Sequence, residues 1–257
     1  MQLYLAVTPG ELRQAASYGR ALAHVAYRIG SGSTLLRQGQ PGQTRGGLLS
    51  ISDREAPPIS DPDALCAAVL RECGRRGCTG AVLDFEEPPR QDRFSFARRL
   101  GAALASSRRS LYLPESYAQS AGNTAAVLVC TAISGGNFVQ HLREAAGNHG
   151  GAARVALDVQ RLRMDFLLPC RSGEGVPLSE AQLRQLLERE APALFFSREL
   201  CARYFTYTRN GQTHFVLFDD AGSLNQKLRA GAAMGFTAAF LMWPEVKDII
   251  GQISFRN

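Results

Sequence analysis

Short apolar runs recur eight times along this chain, at 3–7, 23–28, 47–50, 81–85, 110–113, 126–131, 154–159 and 238–243. Amphipathic stretches at 62–75, 93–106, 137–148 and 223–234 fall between them. Strands that alternate with helices argue for a parallel sheet, because a parallel partner is reached only through a crossover. Eight such units in 257 residues, 45% of them hydrophobic, match a closed (β/α)8 barrel, the TIM barrel, in one domain spanning 1–257. The punctuation agrees: Ser60 and Asp61 precede Pro62 at one helix start, and Gly235 follows the helix at 223–234.

The alternation breaks once. About eighty residues separate the seventh and eighth runs, far more than a plain barrel needs. They contain a helical stretch at 179–190 and two apolar runs, 204–208 and 214–218, around Asn210-Gly211. Asn-Gly between such runs is a β-hairpin signal. The expectation is an α+β insertion at 169–222, between strands 7 and 8, overhanging the C-terminal face where barrel enzymes keep their sites. It would serve as a groove wall or as a purely structural lid.

The fourth run carries the chemistry. Gly80-Ala81-Val82-Leu83-Asp84-Phe85-Glu86-Glu87-Pro88-Pro89 climbs out of a glycine and stops at a proline pair. Side chains alternate along a strand, so Asp84 and Glu86 share one face while Leu83 and Phe85 share the other. Two carboxylates that close repel each other, and one of them holds a proton near neutral pH, as an acid catalyst must. An ionised Asp84 is expected to raise the pKa of Glu86. Polar residues at other strand ends, Tyr27, Arg28, Ser52, Asp53, Glu115 and Tyr117, are candidates to reach the same mouth.

Composition narrows the rest. The formal charge is +6, but only Lys227 and Lys247 are lysines, and the arginines are scattered without interleaved aromatics. That argues against nucleic acid as a partner. Six cysteines without a C-x-x-C and four histidines without ligand spacing argue against a disulfide frame or a metal site, and no cofactor motif is present. No run is long enough to span a membrane, and the start lacks a basic region before its short apolar run, so a cytoplasmic location is expected.

The C-terminal block is distinctive: Tyr204-Phe205-Thr206-Tyr207, Asn210-Gly211, His214 to Leu224 with Asp219-Asp220 and Ser223, Lys227-Leu228, Gly235-Phe236 and Met242-Trp243. It resembles the end of glycoside hydrolase family 18 barrels, and is most similar to the bacterial branch of spore-cortex-lytic N-acetylglucosaminidases. Counted back, 80–86 falls where that family carries a D-G-x-D-x-D-x-E signature. The resemblance implies substrate-assisted, retaining hydrolysis of an N-acetylated glycan such as peptidoglycan or chitin, in which the substrate's own acetamide attacks the anomeric carbon. It implies Glu86 as the acid, Asp84 as the residue that orients the acetamide, and Trp243 as the apolar floor beneath the sugar. Tyr27, Tyr117 and Glu115 stand as further substrate-binding candidates, and a spore-associated location is implied as well.

The chain departs from the family in three places. Thr79 and Val82 stand where two earlier aspartates belong; Ala132 stands roughly where a tyrosine grips the acetamide; and 158–166 lacks the usual proline, tyrosine and glycine. Losing one donor to developing charge costs about two to three orders of magnitude in rate. The sequence therefore leaves open a slow enzyme, an enzyme rebuilt for another sugar, and a catalytically impaired barrel that binds glycan or a protein partner.

Overall fold

The computed structural model describes residues 1–39, 45–170 and 173–253. Eight parallel strands close a ring: β1 (Gln2–Val7), β2 (Ala21–Gly30), β4 (Leu48–Ser52), β5 (Gly80–Asp84), β6 (Ser110–Pro114), β7 (Ala126–Cys130), β8 (Val155–Val159) and β14 (Ala238–Met242). Closure comes from β1, which pairs with β14 on one side and β2 on the other. The ring lies where the eight apolar runs place it. Short β3 (Thr34–Arg37) adds an antiparallel partner to β2 that the apolar pattern does not show.

Around the ring run α1 (Leu12–Ala16), α2 (Pro62–Arg76), α3 (Gln91–Ser106), α4 (Phe138–Asn148), α6 (Ala221–Ala233) and the short α7 (Trp243–Val246). Asp61 caps α2 by accepting from the Ala64 amide, with Pro62 opening the first turn. Outward strand residues such as Leu49, Leu83, Leu113 and Val127 pack under α2 and α3. Inside the ring, Tyr4, Tyr112 and Phe240 fill the lower barrel, with Tyr4 and Tyr112 ring centroids 5.1 and 4.9 Å from Phe240. Gly80 is needed for closure, because a Cβ there would lie 2.0 Å from the Ser110 carbonyl oxygen.

The segment between β8 and β14 forms a second sheet, antiparallel, in the order β10 (Val176–Pro177), β9 (Arg163–Leu168), β13 (Gln212–Phe218), β12 (Ala202–Arg209), β11 (Phe195–Ser197). Its α5 (Glu180–Glu190) packs Leu183 and Leu186 on Phe205, Val216 and Phe218. β12 and β13 turn at Asn210 and Gly211, whose φ values of 53° and 74° are those an Asn-Gly hairpin turn requires. The sheet begins at Arg163, ahead of Pro169 where the sequence places the insertion's start. Residues 163–168 leave the barrel and pair with β13 instead of extending the seventh strand. Alternation over six residues looks the same for either fate.

A buried polar knot ties this second sheet to the barrel. Asp219 and Lys227 are both fully buried, and Lys227 Nζ donates to Asp219 Oδ2 at 2.8 Å and to the Thr131 carbonyl at 3.0 Å. Asp219 also accepts from the Leu162 amide (3.0 Å) and the Ser223 hydroxyl (2.7 Å). The aspartate, serine and lysine of the C-terminal block are thus what joins β13 and α6 to the ends of β7 and β8.

Candidate active site

The C-terminal mouth of the barrel holds a cavity of about 510 Å³. Ala6, Ala23, Val82 and Phe240 form its floor, and the carboxylates of Asp84, Glu86, Glu115, Asp158 and Glu245 stand around it. Asp84 closes β5, Asp158 lies in β8, and Glu115 and Glu245 follow β6 and β14. Inward alternation at strand ends is what brings side chains from four strands to one opening.

Glu86 lies just past the end of β5 and is exposed. Its position is set through its backbone: buried Asp53, next after β4, accepts from the amides of Glu86 (2.9 Å) and Glu87 (3.3 Å) through Oδ1. Behind Asp53 sits buried Arg93, its Nε 4.0 Å from Oδ2, donating Nη2 to the carbonyls of Ala56 and Pro57 at 3.0 Å each. A carboxylate that accepts two consecutive amides fixes the chain there while leaving the Glu86 side chain free. Asp53 has little sequence signal beyond its place after a strand; its role comes from a contact between neighbouring strand ends.

Asp84 accepts no hydrogen bond from any described residue, and its pKa rises from 3.8 to about 6. Burial is the largest cause, followed by the negative charges of Glu86, Asp158 and Asp53. Asp158 is also raised, by burial and by Glu245, against a lowering hydrogen bond from Gln160 Nε2 at 2.7 Å. The sequence expectation put the raised pKa on Glu86. The structure puts it on Asp84, because Asp84 is the deeper of the two and loses more solvent.

Three of the expected sugar contacts are elsewhere. Trp243 is fully buried, its ring 5.6 Å from that of Tyr18, in the core outside β14. Phe240 and Met242 take the inward positions of β14, so the next residue faces out, and Pro244 turns the chain into α7. Met242 stands on the cavity wall where the indole was expected. Tyr27 is buried on the outer side of β2 and donates to Glu72 Oε1 at 2.7 Å. Val25 lines the mouth, and an irregularity in the β2–β4 pairing between Val25 and Tyr27 reverses the facing of the later residue. Tyr117 is fully buried behind β5, with Phe85 and Phe94 rings 5.3 and 4.8 Å away. Glu115 does line the mouth, with His149 Nε2 3.4 Å from its carboxylate.

Among the described residues, no tyrosine replaces the one expected near Ala132. A second cavity of about 300 Å³ opens there between the barrel rim and the second sheet, lined by Ala132, Ser134, Gln160, Arg161, Met164 and Glu245 among others. Arg161 is committed: it donates to Asp248 at 2.8 Å and to the carbonyls of Asp219 and Glu245 at 3.1 Å. Gln160 and Glu245 belong to both cavities, so the opening runs from the mouth along the base of the insertion. Among the described residues, no group of three or more His, Cys, Asp or Glu has a geometry that would hold a metal ion.

No protein-family model matches the sequence, and no curated protein is similar to it in sequence. The fold has many counterparts among solved structures. A chitinase from Chromobacterium violaceum superposes with a TM-score of 0.66 at 16% identity over 100% of both chains. A class V chitinase from Nicotiana tobaccum gives 0.68 at 10% identity over 98% of each chain, and a mutant of it in complex with NAG4 gives 0.68 at 9% identity over the same shares. The spore cortex-lytic enzyme SleL of Bacillus megaterium gives 0.64 at 13% identity, over 94% of this chain and 70% of that one. The chain has the chitinase-like TIM-barrel fold of these proteins.

Proposed function

We propose that the protein is a glycosidase that cleaves N-acetylated glycans of the peptidoglycan or chitin type, with Glu86 and Asp84 as its catalytic pair. One observation carries this reading: the two carboxylates stand side by side at the C-terminal mouth, and the deeper one takes up a proton near pH 6. The pair stores a proton. When a sugar covers the mouth, Glu86 delivers the proton to the glycosidic oxygen. Asp84, ionised, accepts the acetamide N–H and aligns the acetamide oxygen for attack on the anomeric carbon. Attack by the acetamide and then by water inverts the centre twice, so configuration is retained.

The similarity of the fold to chitinases and to a spore cortex-lytic enzyme supports a glycan as ligand and, with the latter, a spore-associated setting. No helix among the described residues is long and apolar enough to cross a membrane. The competing reading, a barrel that binds glycan without cleaving it, draws on Ala132 and Gln160, beside which no described tyrosine lines the mouth.

The deciding experiment is release of reducing ends from chitin oligomers and from cortex fragments by the wild-type chain and by Glu86→Gln. The hydrolase reading expects turnover by the wild type and retained binding by the variant. Saturable glycan binding without turnover by the wild type would establish the binding module. Activity that survives Glu86→Gln would move the acid to another residue.

A further inference from the structure

The wall of the mouth is one-sided in chemistry. Five carboxylates line it, and no described Lys, Arg or His does, although the chain as a whole carries +6. Arg161, the cation at the rim, is already spent on Asp248 and two carbonyls. An acetamide carbonyl needs a donor, and the neutral donors among the lining side chains are few: Ser50, Cys130 and Gln160, the last already donating to Asp158. An ammonium needs acceptors, and the wall is made of them.

Position sharpens this. Asp84 feels the charges of Glu86 and Asp158, and Asp158 in turn feels that of Glu245. In the ring order β14-β8-β7-β6-β5, Asp158 on β8 lies between Glu245, which follows β14, and the catalytic pair at the end of β5. Asp158 receives a side-chain hydrogen bond from Gln160 Nε2 through Oδ2, and no described residue donates to its Oδ1. The second cavity continues from Gln160 and Glu245, which leaves room for a neighbouring sugar on that side.

Resting on the glycosidase reading above, we propose that the glycan this mouth selects is partly de-N-acetylated, and that the ammonium of a glucosamine unit seats on Asp158 beside the catalytic pair. The unit cleaved keeps its acetamide; the free amine belongs to its neighbour. A single positive charge there offsets the repulsion among Asp84, Asp158 and Glu245, where no described Lys, Arg or His lines the cavity and the only described donor to the Glu245 carboxylate is the Arg161 amide.

The test uses the full chain carrying Glu86→Gln, so that ligands are not turned over, and calorimetric titration at pH 7. The probes are hexa-N-acetylchitohexaose, a partly de-N-acetylated hexamer, the same hexamer re-acetylated, and spermine. Binding of the partly de-N-acetylated hexamer is expected to be about tenfold tighter or more than that of the acetylated one, with re-acetylation abolishing the gain. Asp158→Asn, its fold checked by circular dichroism, should bring the ratio towards one. Equal or weaker binding of the amine-bearing hexamer overturns this inference and leaves the glycosidase reading standing. No binding of any hexamer would remove both. A ratio that survives Asp158→Asn, or spermine competing as well as the hexamer, would show that the amine is not recognised at Asp158. The re-acetylation arm needs no variant at that position.

Discussion

Asp219 and Asp84 are both aspartates withdrawn from solvent at the top of one barrel, and they are treated in opposite ways. Asp219 is surrounded by donors: a lysine ammonium, a serine hydroxyl and a backbone amide. No described residue donates to the Asp84 carboxylate, and three other carboxylates add to its burden. A buried charge with both oxygens hydrogen-bonded is architecture, since its removal leaves a partner stranded. A half-buried charge left without partners carries a standing cost, and it persists where something outside the protein completes it. The contrast separates the carboxylates that hold this barrel together from those that face a ligand.

The largest effect should come from the satisfied pair. Lys227→Met leaves Asp219 buried and without its counter-charge, and the expected loss is about 3–5 kcal/mol of stability by urea unfolding. Adding Asp219→Asn should recover part of it, because the stranded charge is then gone. A loss below about 1 kcal/mol would mean that the knot is not what fastens the second sheet to the barrel.

Next in size is the acid. Glu86→Gln keeps the shape and removes the transferable proton, so turnover should fall by at least about a hundredfold, near 2.7 kcal/mol of barrier, with little change in the unfolding midpoint. Loss of stability in step with loss of activity would place Glu86 with Asp219 on the architectural side.

Asp84 offers a smaller effect of opposite sign. Its pKa is 3.8 when unperturbed and about 6 in the fold. Between those values the native state binds more protons than the unfolded chain, so stability falls as pH rises from about 4 to about 6 and stays reduced above. Asp84→Asn removes this penalty. It should stabilise the protein by about 1–2 kcal/mol at pH 8 and by almost nothing at pH 4, while turnover collapses. Thermal unfolding at the two pH values checks this. Destabilisation at pH 8 would show that Asp84 is held by contacts, as Asp219 is.

Much of this was legible in the residues. Short, nearly continuous apolar runs with helical intervals read correctly as a closed parallel barrel, because burial on both faces of a strand leaves a strong pattern. The Asp84-x-Glu86 spacing reads as one strand face, and both residues do line the mouth. What failed was register at strand ends. Tyr27 is turned outward by a pairing irregularity, Tyr117 is drawn under β5 by Phe85 and Phe94, and Trp243 lies one position past the inward residue. A one-residue shift moves a side chain to the opposite face, and no propensity reports it. Asp158 was not singled out, and Asp53 was named only as a candidate to reach the mouth and not as an anchor of the Glu86 backbone, for another reason. They act across strands that are distant in sequence, and only closure of the ring brings them to Glu86 and Asp84.

The finest test of the contrast is at the end of β14, where two adjacent large side chains divide between architecture and site. Trp243 is wholly in the core, and no described group accepts from its indole N–H. Trp243→Phe therefore gives up packing without stranding a partner, and should cost about 1–2 kcal/mol of stability with glycan affinity unchanged. Met242 stands on the cavity wall and is only partly buried. Met242→Ala removes apolar surface that a sugar ring would cover, and should weaken glycan binding a few-fold, within about 1 kcal/mol. Its stability cost should be the smaller of the two. Paired calorimetry and thermal unfolding of both variants decide the matter. If Trp243→Phe were the one that lost affinity, the indole would have to reach the mouth in the bound state, and the division drawn at this strand end would fall.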